Sequence, residues 1–240
     1  MENNFLSAHQ PAFFPWLGYL HRIAISKKFV ILDNVQFEKN SFINRNIIDN
    51  QSLKSFQWLT VPILIKGHFS SKIRDIRINN SSNWKKKHLK TLLHEYKNYP
   101  FFLSHFEEIE MIYNKNHIFL LDLNMELLFY VLKTFSINTE IHLQSDLKLG
   151  EKGNELINSI CKHFNFENFI FGIQGKNYVN NSFYNEQKIK TFEHKYSCNY
   201  SEKKYLNKAN LSCLEFIFKF DKRELRNFLF KENLSSIDII

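Results

Sequence analysis

Two dipeptides carry the side chains best suited to proton transfer, His9-Gln10 and Asp33-Asn34. An imidazole is a base near neutral pH, a carboxylate can orient it or act as an acid, and amides donate to developing charge. Gln36 adds a third amide. Each dipeptide closes a short apolar run, Phe5 to Ala8 and Phe29 to Leu32. Runs of that length, stopped by polar residues, read as buried parallel strands. Open α/β sheets bind ligands beyond the carboxyl ends of their strands. If these two strands are neighbours, the four side chains converge on one crevice. The competing reading is that His9 and Gln10 only satisfy backbone groups in the turn that holds Pro11 and Pro15.

A second candidate is Phe171-Gly172-Ile173-Gln174-Gly175-Lys176-Asn177-Tyr178, which follows the strand pattern Asn168 to Phe171. Its glycines either let backbone approach a phosphate or sugar, or simply make a turn. Other chemistries lack their motifs. His105-Phe106-Glu107-Glu108-Ile109 is not H-E-x-x-H, so its carboxylates read as a solvated helix face. The ten His and three Cys show no zinc spacing. No Walker motif, G-x-G-x-x-G or G-x-S-x-G elbow occurs.

The elements that must position these groups follow from hydrophobic period. After the first strand, Trp16 to Ile25 has helical spacing through Leu17, Leu20 and Ile23. Gln36 to Lys54 is polar and reads as a long loop. Phe56 to Ile65 is a strand interrupted by Pro62, and Lys72 to Ile78 alternates as a strand. Helices fill the middle. One is capped by Ser82 and carries Trp84, His88, Leu92 and Tyr96; one has Pro100 in its first turn; one runs from Ile118 to Lys133. Then come a short strand at Ile141 to Leu143, a helix over Glu151 to Phe164, and strands at Asn168 to Phe171 and Ile189 to Phe192. Asp221-Lys222-Arg223-Glu224 is a capping box opening the last helix. Strands alternating with helices predict an α/β fold: a Rossmann-like, mainly parallel sheet flanked by helices, with a helical middle segment. With 240 residues and no Gly/Ser or Pro-rich linker, residues 1–240 read as a single domain.

Composition sets the remaining bounds. The net charge is +8, which either attracts polyanions or makes a solvated, Lys-rich surface. Lys86, Lys90 and Lys97 fall on one side of a helix, where a tRNA could lie or where they only solubilise. Three scattered cysteines, no basic leader and no apolar run long enough to span a bilayer predict a cytoplasmic protein without a transmembrane segment.

The densest signal is His9-Gln10-Pro11, Pro15-Trp16-Leu17-Gly18-Tyr19, Phe29 to Gln36, Lys39-Asn40 and Asn44-Arg45-Asn46. Trp58-Leu59-Thr60-Val61-Pro62 and Lys66-Gly67 extend it, and Gly172, Gly175, Asn177, Tyr178 and Leu211-Ser212 close it. This pattern resembles the WbqC-like family over most of the chain. Lys27-Lys28, Asn34 and Glu215 depart from it; each stands where an acidic residue, or for Glu215 an Asp, is expected. The resemblance implies bacterial O-antigen or lipopolysaccharide biosynthesis and, as one suggestion, transfer of a glycyl or other acyl group to an amino sugar. It also marks Trp16, Tyr19, Gln36, Asn40, Asn44, Asn46, Gly172, Gly175 and Tyr178 as substrate-binding candidates. On that reading His9 is the base, Asp33 orients it, Gln10 and Asn34 are donors, and Arg45 and Lys39 hold the phosphates of a nucleotide-activated sugar. The acyl donor would be an aminoacyl-tRNA or an acyl carrier. Two other readings compete: a noncatalytic nucleic-acid-binding module, and a nucleotidyltransferase-like enzyme, although H-x-G-H is absent.

Overall fold

The computed structural model describes residues 4–64, 71–173, 175–177, 179–198, 210–231 and 234–239. The chain opens with β1 (Leu6–His9), α1 (Leu17–Ala24) and β2 (Lys28–Ile31). A hairpin, β3 (Arg45–Asn50) and β4 (Ser55–Thr60), comes next, then the two-residue strands β5 (Ile63–Leu64) and β6 (Arg77–Ile78). Three helices follow, α2 (Trp84–Tyr96), α3 (Phe102–Asn114) and α4 (Leu120–Phe135). The second half runs β7 (Glu140–Leu143), α5 (Gly153–Phe164), β8 (Asn168–Phe171), α6 (Asn181–Glu186), β9 (Lys190–Ser197), α7 (Leu214–Lys219), α8 (Lys222–Phe230) and β10 (Leu234–Ile239).

Six strands form the main sheet in the order β10-β9-β8-β1-β2-β7. All neighbouring pairs are parallel except β9 and β10. The fold is therefore α/β, with a mixed, mostly parallel sheet flanked by helices. From β1 the chain builds outward on one side through β2 and β7, then returns to build the other side through β8 and β9. The direction of build reverses at β1, so a crevice opens there beyond the strand ends.

Both faces of the sheet are covered, as parallel strands require. Leu6, Ala8 and Val30 point to one face and pack with Leu156, Ile160 and Cys161 of α5. Phe29 and Ile31 point to the other and join Leu20 and Ile23 of α1, with α4, α7 and α8 behind them. The period-2 alternation of each strand makes this division. The capping box of α8 is formed: Glu224 N–H donates to Asp221 Oδ1 at 2.8 Å, and Asp221 N–H donates to Glu224 Oε2 at 2.9 Å. None of the described helices is long and apolar enough to cross a membrane.

Several expected elements differ. The expected loop Gln36 to Lys54 contains β3, paired antiparallel with β4 from Arg45↔Thr60 to Asn50↔Ser55. The strand Phe56 to Ile65 is broken at Val61-Pro62 into β4 and β5, since Pro cannot donate to a ladder. Lys72 to Ile78 is only partly extended. Ile73–Asp75 is a 3-10 turn because Ile73 and Arg74 give their N–H groups to the carbonyls of Val35 and Asp33. Asn83, not Ser82, stands at the N-terminus of α2, since the Ser82 hydroxyl donates to the Asn79 carbonyl. Pro100 precedes α3 and does not open it.

Candidate active site

A cavity of about 810 Å³ lies beyond the carboxyl ends of β1 and β8. Its walls come from the end of β1, the first turns of α1, the segment 38–43, Phe171 to Ile173, the end of β9 and residues 210–216. The chain must leave β1 and turn back into α1 to make the first wall. Phe14 takes a left-handed φ of 41° there. For a bulky residue that costs about 1–3 kcal/mol. Burial of the Phe13 and Phe14 rings, both wholly inaccessible, contributes roughly 2–3 kcal/mol each and outweighs it.

The turn is also tied down. Asn46 Nδ2 donates to the carbonyls of Phe13 at 3.2 Å and Phe14 at 2.6 Å. Phe13 N–H in turn reaches the Phe42 carbonyl at 2.9 Å. Asn46→Ala is expected to cost about 1–3 kcal/mol, because two buried carbonyls lose their donor. Urea unfolding measures it, and a change under about 0.5 kcal/mol would mean that the turn holds itself.

His9 projects into this cavity. Its Nδ1 faces the Gln10 carbonyl at 2.9 Å, so Nδ1 carries the proton and donates. The Tyr19 hydroxyl donates to the same carbonyl at 3.1 Å. Rings of Trp16 and Tyr19 stand edge-on to the imidazole at 6.0 and 5.2 Å. Nε2 is the unprotonated nitrogen and has no hydrogen-bond partner among the described residues. Desolvation, and then the Arg22 charge, push the His9 pKa down to about 3, against a small rise from the Gln10 carbonyl.

Arg22 was not anticipated from the sequence. It lies on α1 one turn after Tyr19, only 4% exposed, and lines the cavity. Its charge reaches His9, Tyr19 and His194. Gly172 makes room for it: a Cβ on Gly172 would stand 2.6 Å from Arg22 Nη1. A Cβ on Gly18 would likewise stand 3.4 Å from the Trp16 indole and from Tyr196 Cβ of β9. His194 of β9 lines the same wall and meets His21 of α1, Nε2 to Nδ1, at 2.7 Å. Burial lowers the pKa of His21 to about 4. Burial, His21 and Arg22 lower that of His194 to about 3. The i, i+3 spacing of Tyr19 and Arg22 was the one signal that could have revealed Arg22.

The other candidates are distributed as follows. Gln10, Trp16, Tyr19, Asn40 and Gly172 line the cavity. Asp33 does not reach His9: fully buried, its Oδ1 accepts from Ser145 N–H at 2.9 Å. The expected His9–Asp33 pair is not formed, because the Gln10 carbonyl already holds Nδ1. Asn34 Oδ1 is buried without a partner among the described residues and away from the lining. Gln36 bridges to Lys72, and Lys39 is exposed.

Arg45 is committed to structure. Its Nη2 donates to the Asn40 carbonyl at 2.6 Å and its guanidinium lies 4.2 Å from the Trp58 ring. Asn44 Nδ2 donates to the Val61 carbonyl at 2.9 Å. Gly175 makes a close turn, where a Cβ would stand 2.3 Å from that of Phe171. Tyr178, Lys66 and Gly67 lie outside the described residues. Among the described residues no three His, Cys, Asp or Glu side chains gather as a metal site.

The uncharacterized protein Rv1507c of Mycobacterium tuberculosis is 29% identical over 182 residues, covering 75% of this chain and 78% of that protein. No solved structure matches. The WbqC-like protein family matches residues 10–227, which include the cavity wall from Gln10 to Phe216 but not Ala8 and His9. The chain belongs to the WbqC-like protein family.

Proposed function

We propose that this protein is an enzyme of bacterial surface-polysaccharide (O-antigen-type) assembly, acting in the cytoplasm, that transfers an acyl group to the amine of a nucleotide-linked amino sugar. A glycyl group, delivered by an aminoacyl-tRNA or an acyl carrier, is one candidate. The observation that carries the reading is His9, neutral and with its unprotonated Nε2 unpartnered among the described residues, in a cavity large enough for a sugar and its activating group.

In the proposed reaction the substrate amine attacks the acyl carbonyl, forming the C–N bond. The nitrogen's proton passes to His9 Nε2 and then to the departing group as the original acyl bond breaks. The Gln10 carbonyl holds the ring, the role first given to Asp33. Gln10 and Asn40 line the cavity, and their side-chain amides are the proposed donors to the oxyanion. Aromatic walls at Trp16 and Tyr19 suit the apolar face of a sugar ring.

His9→Ala should lower turnover by about 10²–10⁴-fold, the usual contribution of a positioned base. Its melting temperature should stay near that of the parent. Near-normal turnover on a folded variant would remove His9 from the mechanism. A pKa of about 3 also means that His9 stays in its base form down to that pH. The rate profile of the free enzyme should therefore show no histidine inflection near pH 6.5, the ordinary value, attributable to His9. An inflection there that His9→Ala abolishes would contradict the assignment.

A further inference from the structure

A base with a pKa of about 3 is poorly matched to taking a proton from an amine. What depresses it, after burial, is the charge on Arg22. We infer that Arg22 is the anion-receiving group of the cavity, binding a phosphate or carboxylate of the ligand next to His9 and His194.

The geometry supports this independently of any titration. Arg22 is 4% exposed yet forms part of the cavity wall. A guanidinium so placed offers a planar fork of donors that matches two oxygens of one oxyanion. The local backbone is also adapted to this side chain. Residue 172 carries no Cβ where one would strike Nη1 at 2.6 Å, so the guanidinium packs against the backbone just past the end of β8. Arg45 and Lys39 cannot fill this role from inside, since neither lines the cavity.

The assignment has a mechanistic consequence. An anion on Arg22 offsets the field that disfavours protonated His9, so ligand entry raises the basicity of Nε2. The empty site holds a weak base, and the loaded site a stronger one. The inference rests on the cavity being the ligand site, as in the reading above, but not on acyl transfer.

The test follows the imidazole resonances of His9 and His194 by NMR in the full chain, titrated with inorganic phosphate and, separately, with acetate at constant ionic strength. Phosphate should shift both rings saturably and raise the His9 pKa. Arg22→Gln should weaken that binding by at least about tenfold, with Arg22→Lys intermediate. Gly172→Ala, which leaves the arginine in place but displaces its guanidinium, should weaken binding too, and serves if Arg22→Gln does not fold. Saturation by acetate and not phosphate would keep Arg22 in its role and assign the group to a carboxylate. Failure of both anions to shift either ring, or equal binding in Arg22→Gln, would overturn the inference. His9→Ala should still bind phosphate. Binding without acyl transfer would therefore sink the transfer reading alone, and transfer without Arg22-dependent binding would sink this inference alone.

Discussion

Between about pH 7.5 and about pH 5.5 the folded state is expected to lose roughly 5 kcal/mol of stability, a large share of the 5–15 kcal/mol of an ordinary domain. The cause is four histidines kept neutral chiefly by burial: His21 and His88, with pKa values lowered to about 4, and His9 and His194, lowered to about 3. His21, His88 and His194 are only 5% exposed. In the unfolded chain each titrates near its ordinary value of 6.5. As pH falls through that value the unfolded chain takes up protons that the fold refuses. Stability is therefore fully present above the unfolded pKa and is lost toward the folded one, at up to about 1.4 kcal/mol per pH unit for each group. Urea midpoints across this range measure the slope. His88→Gln should reduce it by about a quarter, one of four protons, whatever it does to stability at pH 7.5. Its ring spans the Thr60 carbonyl and the Tyr113 hydroxyl, at 3.1 and 3.3 Å, with no carboxylate among the described residues paired to it. A slope that stays flat through this range would show that these rings titrate in the fold as they do in the unfolded chain.

Glu215→Ala should cost about 3–5 kcal/mol, the loss typical of breaking a buried ion pair from one side. Glu215 is wholly inaccessible. It accepts the Tyr96 hydroxyl at 2.7 Å and pairs with Lys219 one turn on, whose own side chain lies 4.5 Å from the Tyr99 ring. These contacts join α7 to the end of α2. Removing the carboxylate takes from Lys219 its opposite charge and from Tyr96 its acceptor. Tyr96→Phe should cost less, about 1–3 kcal/mol, since it deletes the hydroxyl's bonds to Glu215 and the Asp49 backbone and leaves the ion pair. The double variant should fall short of the sum, because both changes remove the same bond. Denaturant midpoints settle it; a Glu215→Ala loss under about 1 kcal/mol would mean that the pair's attraction only balances its desolvation.

Local signals sufficed where the chain's own chemistry is strong. The apolar run of β2, the helical spacing of Leu17, Leu20 and Ile23, and the Asp221 capping box were legible because each element is specified within a few residues. β3 was not, because Arg45-Asn46-Ile47-Ile48-Asp49-Asn50 is polar at four of six positions. Five of its six residues are nevertheless buried. Asn46 is there because it binds the carbonyls of Phe13 and Phe14, a partnership that no window around residue 46 contains. The turn at Ile73–Asp75 likewise depends on the carbonyls of Val35 and Asp33.

The site divides in the same way. That strand ends point into a crevice was enough to place His9 and Gln10, because β1 is the central strand beside which the sheet's direction of build reverses. It failed for Asp33, at the end of the very next strand, because Ser145 N–H was there to receive its carboxylate. Arg45 looked like a phosphate ligand by residue type alone, and Trp58 and the Asn40 carbonyl occupy it. Arg22 was overlooked because an arginine in a helix usually faces water. Only the assembled sheet shows that Gly172 lies beneath it.

The pairing of β1 with β8, Leu6 against Phe169 and Ser7 against Ile170, also bears on how the protein is made. On the ribosome β1 is translated long before β8. At about 5–20 residues per second, the interval before β8 follows is on the order of ten to thirty seconds. Through that time one edge of the central strand, with its unpaired amides and the apolar Leu6 and Ala8, has no native neighbour. The nascent chain is thus open to strand-to-strand association between copies, and its yield in the cell should depend on chaperone supply more than its final stability would suggest.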